Sequence, residues 1–352
     1  MLQPLKIANA YSWSQWQAGH SLVANSYFFS SEGGNAVIDP LPYDEPISAH
    51  IDKLGGIATI LVTTRDHERE AQALARRYSA NIIREPEHEE EVFLGAFAIR
   101  LDDQKSEHEF AVSIPKHGTV IVGDSILGTP AGGLSLPFER RYADVRRAAL
   151  GLRRILQVNP HTLLVRHGHS IFGGAYDAVH QLLYAHAGAE VHRINVDELD
   201  FHDERGEHEG QPTQYRCLDA EVGFVIGARK LGYRVSTLKP GHRFCPLHNH
   251  AREEELFFIL DGEPSVRTLS GTVRCRKGDF VAFPVGEHGT HQLLNESDAP
   301  ATVLLLARTE EVEACYYPDS DKLLVDTEFP MINGQSSMMV RGSPILEYFD
   351  GE

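Results

Sequence analysis

The chain has 352 residues, more than one ordinary hydrophobic core accommodates, and this length suits two domains of about 150–200 residues each. Its apolar share of 42% and charged share of 24% are typical of a globular protein, and its formal charge of −17 argues against nucleic-acid binding through bulk electrostatics. No run approaches the roughly 18 apolar residues of a membrane span, the N-terminus lacks the features of a signal peptide, and the four cysteines have no CxxC spacing, so we expect a cytoplasmic protein with reduced thiols.

The first half of the chain alternates short apolar runs with amphipathic helical patterns. The apolar runs predict buried strands at residues 36–38, 59–62, 119–122 and 162–165. Apolar positions that recur every three or four residues predict helices over residues 66–78 and 142–156, and a third around residues 176–183. Strands that alternate with helices indicate an α/β domain, which we assign to residues 1–195.

The pattern changes near residue 195. Residues 196–210 hold seven carboxylates and two histidines with almost no apolar repeat, which predicts a solvated acidic linker over residues 196–212. A metal-binding tract of histidines and acids is the alternative interpretation of this segment. Beyond it, seven short β-type runs separated by Gly, Pro, Asn and Asp predict an all-β sandwich or barrel over residues 213–352.

Histidine spacing in this second half predicts a metal site. His248 and His250 are two residues apart, so on a strand both imidazoles leave the same face. Glu255 begins the next apolar run, and His291 begins another strand after the tight turns of residues 278–286. Three imidazoles and one carboxylate suit a single divalent transition ion (Zn, Fe, Mn or Ni) and leave coordination positions for water or substrate.

These residues resemble the two signature motifs of the cupin superfamily. The match is to His-x-His-x(4)-Glu-x(6)-Gly, which begins at His248, and to Gly-x(5)-Pro-x-Gly…His-x(3)-Asn, which ends at Asn295. The fold that this resemblance implies is a double-stranded β-helix, or jelly-roll barrel. It assigns the ligand roles to four residues, His248, His250, Glu255 and His291.

Two spacings depart from the cupin pattern. Four residues separate Gly286 from His291, which makes His288 an alternative ligand, and Gly241 lies one residue further from His248 than is usual. Polar side chains near the motifs are candidates for binding an acidic substrate: Arg252, Arg267, Arg274 and Gln292. The open coordination positions of such a centre favour a small-molecule ligand.

The first half carries a second resemblance, to the αββα sandwich of the metallo-β-lactamase fold. Polar residues cluster just past the buried strands, where α/β sheets usually place ligands. Their order is similar to that family: Ile38-Asp39-Pro40, a loop that begins at Thr63, then Gly123-Asp124 and His167-Gly168. The resemblance covers about residues 20–190.

The loop that begins at Thr63 departs from that family's Thr-His-x-His-x-Asp-His motif. Counted from Thr63, its ligand positions hold Thr64, Asp66, Glu68 and Arg69. Two-metal hydrolysis needs two ions about 3.5–4 Å apart, so we predict a degenerate, non-hydrolytic domain. A single-metal or altered site is the alternative, and its candidate residues are Asp66, His67, Asp124 and His167.

Three functions remain open at this level. The first is a metal-dependent small-molecule enzyme of oxygenase, isomerase or lyase type that acts on an acidic metabolite. The second is a non-catalytic, metabolite-binding or sensing cupin with an inactive hydrolase-like partner domain. The third is residual metallo-hydrolase activity in the N-terminal domain. We expect a homo-oligomer, such as a homodimer, with no nucleic-acid or membrane partner.

Overall fold

The computed structural model describes residues 2–18, 21–137, 142–203, 211–327 and 336–342. Its contacts divide the chain into two compact units, Met1–Arg193 and Ile194–Glu352. Within the predicted acidic linker, a 3-10 turn at Val196–Glu198 and a strand at His202–Asp203 belong to the second unit, and residues 204–210 lie outside the described residues. In the described ranges, no helix combines the length and the apolar content that crossing a bilayer requires.

Within its described residues, the first unit combines five α-helices with a twelve-stranded sheet. Its strands are β1 (Gln3–Pro4), β2 (Ala10–Gln17), β3 (Leu22–Phe29), β4 (Ala36–Ile38), β5 (Thr59–Leu61), β6 (Asn81–Ile83), β7 (Glu91–Phe93), β8 (Ala96–Arg100), β9 (Phe110–Ile114), β10 (Thr119–Gly128), β11 (Thr162–Gly168) and β12 (Ile171–Phe172). Its helices are α1 (Glu45–Lys53), α2 (Glu68–Tyr78), α3 (Val145–Leu150), α4 (Arg153–Gln157) and α5 (Ala175–Ala187).

The middle of this sheet brings four strand ends to one edge. The central order is β6-β5-β4-β3-β11-β10-β9-β8-β7. Strands β4 and β5 are parallel, as are β10 and β11, and β3 runs antiparallel to both β4 and β11. The carboxyl ends of β4, β5, β10 and β11 therefore share an edge, which is where the sequence places its polar residues.

Both faces of the central strands are buried. Alternate residues of one strand enter different core clusters: Ala36 and Ile38 pack on one face of the sheet, and Val37 packs on the other. The second of these faces is covered by apolar residues of α1 and α2, which are Ile47, Ile51, Ala71 and Leu74. This double burial explains why the strands are continuous apolar runs, and it confirms the predicted α/β class.

The helix predicted over residues 142–156 is interrupted and forms α3 and α4. The break lies at Gly151, where a Cβ atom would be 1.9 Å from the carbonyl oxygen of Asp102. Only glycine allows the loop that contains Asp102 to approach this closely. Glycine also weakens a helix by about 1 kcal/mol relative to alanine, so the helix breaks at the residue that the contact requires.

The first helix begins with a side-chain cap. The Asp44 Oδ1 accepts a hydrogen bond from the Ile47 amide at 3.0 Å, which satisfies one of the amides that a helix start leaves unpaired. We expect Asp44→Ala to lower the free energy of unfolding of the first unit by roughly 0.5–2 kcal/mol. Both tryptophans, Trp13 and Trp16, lie in β2, so urea unfolding followed by tryptophan fluorescence reports on this unit. Asp44→Asn keeps an acceptor and should be nearly neutral; equal losses in the two variants would contradict the capping role.

The second unit is built from strands that form three sheets of six, four and three strands. Its strands are β13 (His202–Asp203), β14 (Leu218–Glu221), β15 (Leu231–Leu238), β16 (Asn249–His250), β17 (Glu255–Asp261), β18 (Ser265–Thr268), β19 (Gly271–Arg274), β20 (Phe280–Phe283), β21 (Gln292–Leu294), β22 (Ala301–Arg308), β23 (Val312–Tyr317), β24 (Lys322–Thr327) and β25 (Ser337–Arg341). Each of the seven predicted β-runs overlaps a strand from β15 to β22, which confirms the all-β class.

The core of the second unit lies between its six-stranded and three-stranded sheets. The six-stranded sheet has the order β13-β14-β15-β22-β17-β20, and the three-stranded sheet has the order β19-β18-β21. Phe257 of β17 and Val303 of β22 pack in one cluster with Val266 of β18 and Leu293 of β21. The two sheets therefore enclose a common apolar interior, as the walls of a barrel do.

Candidate functional site

Antiparallel contacts bring the predicted ligands of the second unit together. His248 and His291 form an isolated bridge, in which each amide donates to the other residue's carbonyl at 3.1 and 2.9 Å. His250 follows in β16, and Glu255 begins β17. The centroid of the His248 ring lies 4.9 Å from that of His250 and 4.7 Å from that of His291.

The Glu255 carboxylate lies among these rings. Its Oε2 is 3.3 Å from the Nε2 of His250 and 2.9 Å from the Nε2 of His291. These three atoms are buried, and none makes a hydrogen bond of acceptable geometry within the described residues. Buried polar atoms without partners cost free energy. Convergence of lone-pair atoms in one buried place is an arrangement that a cation satisfies.

The opposite nitrogen of each ring is already engaged. His248 Nδ1 donates to the Pro246 carbonyl at 2.9 Å, and His291 Nδ1 donates to the Gly289 carbonyl at 2.8 Å. A carbonyl only accepts hydrogen bonds, so Nδ1 carries the proton in these two rings and Nε2 is left with a lone pair. A metal ligand requires this tautomer.

The electrostatics of the cluster favour a positive charge at its centre. Burial, together with His291 and His250, lowers the pKa of His248 to about 4, so this ring is neutral at pH 7. Burial opposes charge on His250, but the contacts with Cys315 and Glu255 raise its pKa to about 10. Burial also opposes ionisation of Glu255, yet its contacts with His250 and His291 hold the pKa of its carboxyl well below its usual range. Without an ion, the centre therefore combines a neutral His248 and a protonated His250 with an ionised carboxylate, and a metal cation would take the place of the His250 proton.

A second cluster lies at the shared strand edge of the first unit. The Asp124 Oδ1 is 3.2 Å from the Nε2 of His67 and 3.0 Å from the Nε2 of His167. These three side chains offer ligand atoms within 4.8 Å of one another. Their positions follow from the strands: a 3-10 turn at Arg65–His67 follows β5, Asp124 lies in β10, and His167 lies in β11.

An irregularity in β10 directs Asp124 toward this edge. The pairing of β10 with β11 runs from Val122 opposite Val165 to Leu127 opposite His167. Between these two pairs β10 advances by five positions and β11 by only two, so the extra residues of β10 form a bulge around Asp124. Bulges of this kind change the direction of a side chain and are common next to active sites.

Asp39, at the end of β4, supports His67 from behind. Its Oδ1 is 3.2 Å from the His67 Nδ1 and accepts from the Thr63 amide at 2.8 Å. Its Oδ2 accepts from the Thr63 hydroxyl at 2.6 Å. Burial opposes charge on His67, but Asp39 and Asp124 raise its pKa to about 9. A carboxylate behind an imidazole is the arrangement that orients histidine ligands in many metal sites.

A model of the metallo-beta-lactamase superfamily matches residues 2–185, just over half of the chain. The chain belongs to the metallo-beta-lactamase superfamily. A model of the cupin domain matches residues 234–307. The predicted architecture, a metallo-beta-lactamase-like domain followed by a cupin domain, is therefore confirmed.

Solved structures are similar to part of this chain. A sugar phosphate isomerase from a cupin superfamily of Silicibacter pomeroyi is 23% identical, covering 44% of this chain and 96% of that chain with a TM-score of 0.37. A putative sugar phosphate isomerase from Acidithiobacillus ferrooxidans is 21% identical, covering 45% and 97%, with a TM-score of 0.39. A predicted oxalate decarboxylase from Thermotoga maritima is 19% identical, covering 34% and 99%, with a TM-score of 0.29. No curated protein sequence matches the chain.

In the cupin domain, the described contacts of the predicted substrate-binding residues are with groups outside the ligand set. His288 is exposed, whereas His291 is 1% exposed. The three arginines pair with neighbouring acids, Arg252 with Glu310, Arg267 with Asp319 and Arg274 with Glu263. Gln292 donates to the Cys245 carbonyl. Alternation along the strand places Gln292 on the opposite face from His291, and the described contacts give these four residues no hydrogen bond to the ligand set.

In the metallo-beta-lactamase domain, the described residues do not supply the donors of a two-metal site. Thr64 stands at the first histidine position of the family motif, where its buried hydroxyl donates to Ser106 at 3.2 Å. The side chains of Asp66 and Arg69 lie outside the described residues. His67 stands between the ligand positions of that motif, and the structure places it beside Asp124 and His167. His67, Asp124 and His167 offer three ligand atoms within 4.8 Å of one another, a set that could hold one ion.

The cupin domain also contains functional candidates that sequence patterns did not single out. Cys315 lies opposite His250 in the pairing of β16 with β23, and its Sγ is 3.2 Å from the His250 Nδ1. The Tyr317 ring stacks on the His248 ring with centroids 5.7 Å apart. The signal available in the sequence was the apolar and aromatic run around Cys315, which lies beyond the matched residues 234–307, but only the strand register shows which of its residues face the histidines.

Proposed function

We propose that the cupin domain is a metal-dependent small-molecule enzyme with one divalent transition ion held by His248, His250, Glu255 and His291. The observation that carries this proposal is the convergence of buried, unpartnered ligand atoms on one centre while the opposite nitrogens of His248 and His291 are fixed by carbonyls. Such a set accepts Zn, Fe, Mn or Ni. When bound, the ion would supply Lewis-acid or redox chemistry at its open coordination positions.

The surrounding residues shield and polarise this centre. Phe283 stacks on His291 with centroids 3.8 Å apart, and Phe257 meets the same ring edge-on at 5.3 Å, so one wall of the centre is apolar. Tyr317 provides a phenol beside His248. Burial raises the pKa of Tyr317, so its hydroxyl keeps its proton and acts as a hydrogen-bond donor at neutral pH.

The charge of the centre supports an anionic ligand of carboxylate or enediol type. A divalent ion with one carboxylate and neutral imidazoles leaves a net charge of about +1 in a buried place. A ligand with an anionic oxygen neutralises this charge, and the ion itself takes the role that the sequence had suggested for arginines. Turnover of that ligand by oxygenation, isomerisation or elimination is the reaction class we propose.

Metal analysis and ligand binding test this function together. The purified full-length protein should carry about one transition-metal ion in the cupin domain. In a screen of small carboxylates and enediols, at least one compound should raise the melting temperature of the metal-loaded protein but not that of the apo protein. A ligand at about 100 times its Kd adds roughly 2.7 kcal/mol to the free energy of unfolding. A screen in which every tight ligand remains chemically unchanged with Fe, Mn, Ni and Zn would indicate a metabolite-binding cupin instead of an enzyme.

We further propose that the metallo-beta-lactamase domain does not carry out two-metal hydrolysis. The support is the buried Thr64, which occupies a ligand position of the family motif and whose hydroxyl already donates a hydrogen bond to Ser106. The test uses the full-length protein with the cupin ligands removed by His248→Ala and His250→Ala. This variant should hold fewer than two ions and hydrolyse neither β-lactams, thioesters nor phosphodiesters. Two bound ions with hydrolysis that Asp124→Ala abolishes would contradict the proposal.

A further inference from the structure

The three imidazoles of the cupin centre are not held in the same way. His248 and His291 each donate Nδ1–H to the carbonyl of the residue two positions earlier, Pro246 and Gly289. These supports belong to the main chain, and no side-chain substitution removes them. His250 has no such support, and its Nδ1 faces the Sγ of Cys315 at 3.2 Å.

Cys315 is held in place by the strand pairing. It lies directly opposite His250 in the antiparallel pairing of β16 with β23, and its side chain is 5% exposed. Two residues earlier on β23, the Glu313 carboxylate accepts hydrogen bonds from the amides of Ala251, Arg252 and Glu253. The turn between His250 and Glu255 is therefore tied to β23, and the sulfur stays next to the ring.

The direction of this contact decides whether His250 is a ligand. If the sulfur accepts the Nδ1 proton, Nε2 keeps a lone pair aimed at Glu255 Oε2, 3.3 Å away. If the ring turns over, Nε2 is directed away from the centre. Carboxylate oxygens of Glu253 and Glu313 also face Nδ1, each at 3.8 Å, which is too far for a hydrogen bond.

We infer that Cys315 is a positioning residue, whose sulfur accepts the Nδ1 hydrogen of His250 and holds its Nε2 toward the metal centre. An independent observation marks the centre: His291, only 1% exposed, directs an unpartnered Nε2 to the same place. The inference rests on the proposed metal site and adds a residue that is not itself a ligand. Partners of this kind change metal affinity by about 10–100-fold when they are lost.

The test compares cysteine variants of the full-length protein in titrations with Co²⁺ and Zn²⁺. Cys315→Val keeps the side-chain volume but removes the sulfur acceptor. It should raise the Kd for both ions by about 10–100-fold and alter the visible absorption of bound Co²⁺. Cys315→Ser keeps an acceptor and should restore most of the affinity. Cys275→Ala is the matched control, since Cys275 is equally buried in the cupin core and its Sγ faces the Val273 carbonyl. This variant should bind like the wild type, and circular dichroism checks that all variants are folded.

The outcomes separate this inference from the proposed function. Wild-type protein that takes up neither Co²⁺ nor Zn²⁺ at the cupin centre would overturn the metal site, and the role of Cys315 with it. Stoichiometric binding by the wild type, with Cys315→Val matching Cys275→Ala in Kd and in Co²⁺ spectrum, would overturn the positioning role alone. Weaker metal binding by Cys315→Val, together with metal binding close to wild type by Cys315→Ser, supports the inference.

Discussion

Replacing both His248 and His250 with alanine should remove the metal ion from the cupin domain. The substitution takes two of four ligands from a centre whose remaining donors are Glu255 and His291. The loss of affinity should therefore exceed the roughly 10–100-fold that follows loss of a residue supporting a ligand. Elemental analysis of the purified variant after dialysis should find a small fraction of the wild-type content.

His288→Ala provides the matched control for this experiment. It removes an imidazole three residues from His291 that is exposed and lies outside the ligand set. Its metal content should equal that of the wild type. Full metal content in the His248→Ala/His250→Ala variant would show that the ion is bound elsewhere in the protein. Loss of metal in the His288→Ala variant would return that residue to the ligand set in place of His291.

Glu109→Gln should stabilise the first unit at alkaline pH. Glu109 is 1% exposed, and neither carboxylate oxygen has a hydrogen-bond partner among the described residues. Burial, and then the charge of Asp124, raise the pKa of Glu109 to about 8 from an ordinary value of 4.5. The folded state therefore holds the proton more tightly than the unfolded state does.

The sign of the pH dependence follows from this difference. The stability associated with the protonated carboxyl is fully present below about pH 4.5 and is lost as the pH rises toward 8. Glutamine imitates the protonated acid at every pH. The variant should match the wild type near pH 5 and exceed it at pH 9 by an amount on the order of 3–5 kcal/mol. Urea unfolding followed by tryptophan fluorescence measures this difference.

Glu107→Gln is the control for the Glu109 experiment, because Glu107 is exposed and lies two residues away in the same loop. Its effect on the free energy of unfolding should stay within about 0.5 kcal/mol at both pH values. A gain in stability for Glu109→Gln that does not change between pH 5 and pH 9 would mean that the carboxyl does not titrate as its burial requires.

Local patterns in the sequence predicted most of the fold. Most β-runs of the second half appear as strands because they bury apolar residues and no helix pattern competes with them, whereas β19 is exposed along its length and pairs with β18. The paired histidine motifs also pointed to His248, His250, Glu255 and His291, which the structure brings together. Spacing is informative here because residues two apart on an extended segment leave the same face, as His248 and His250 do.

Features that depend on pairing between distant strands were not predictable in this way. Cys315 is 65 residues from His250, and only the register of β16 against β23 places them together. Similarly, counting along the family motif passes over His67, whereas the 3-10 turn after β5 directs its ring toward Asp124. The arginines proposed to bind substrate were a weaker prediction for a related reason, since alternation along a strand does not say which face is inside.

The position of β22 in the second unit has a consequence for how the chain is synthesised. β22 pairs with β15 on one side and with β17 on the other. It is the last of these three strands to leave the ribosome, so β15 and β17 wait with open edges until about residue 308 has emerged. The first unit is complete by Arg193 and is free to fold while translation continues, as N-terminal domains generally do. Translational pausing between these two points would expose the half-built barrel to pairing with other nascent chains, so the stretch before residue 308 is where chaperone capture would matter most.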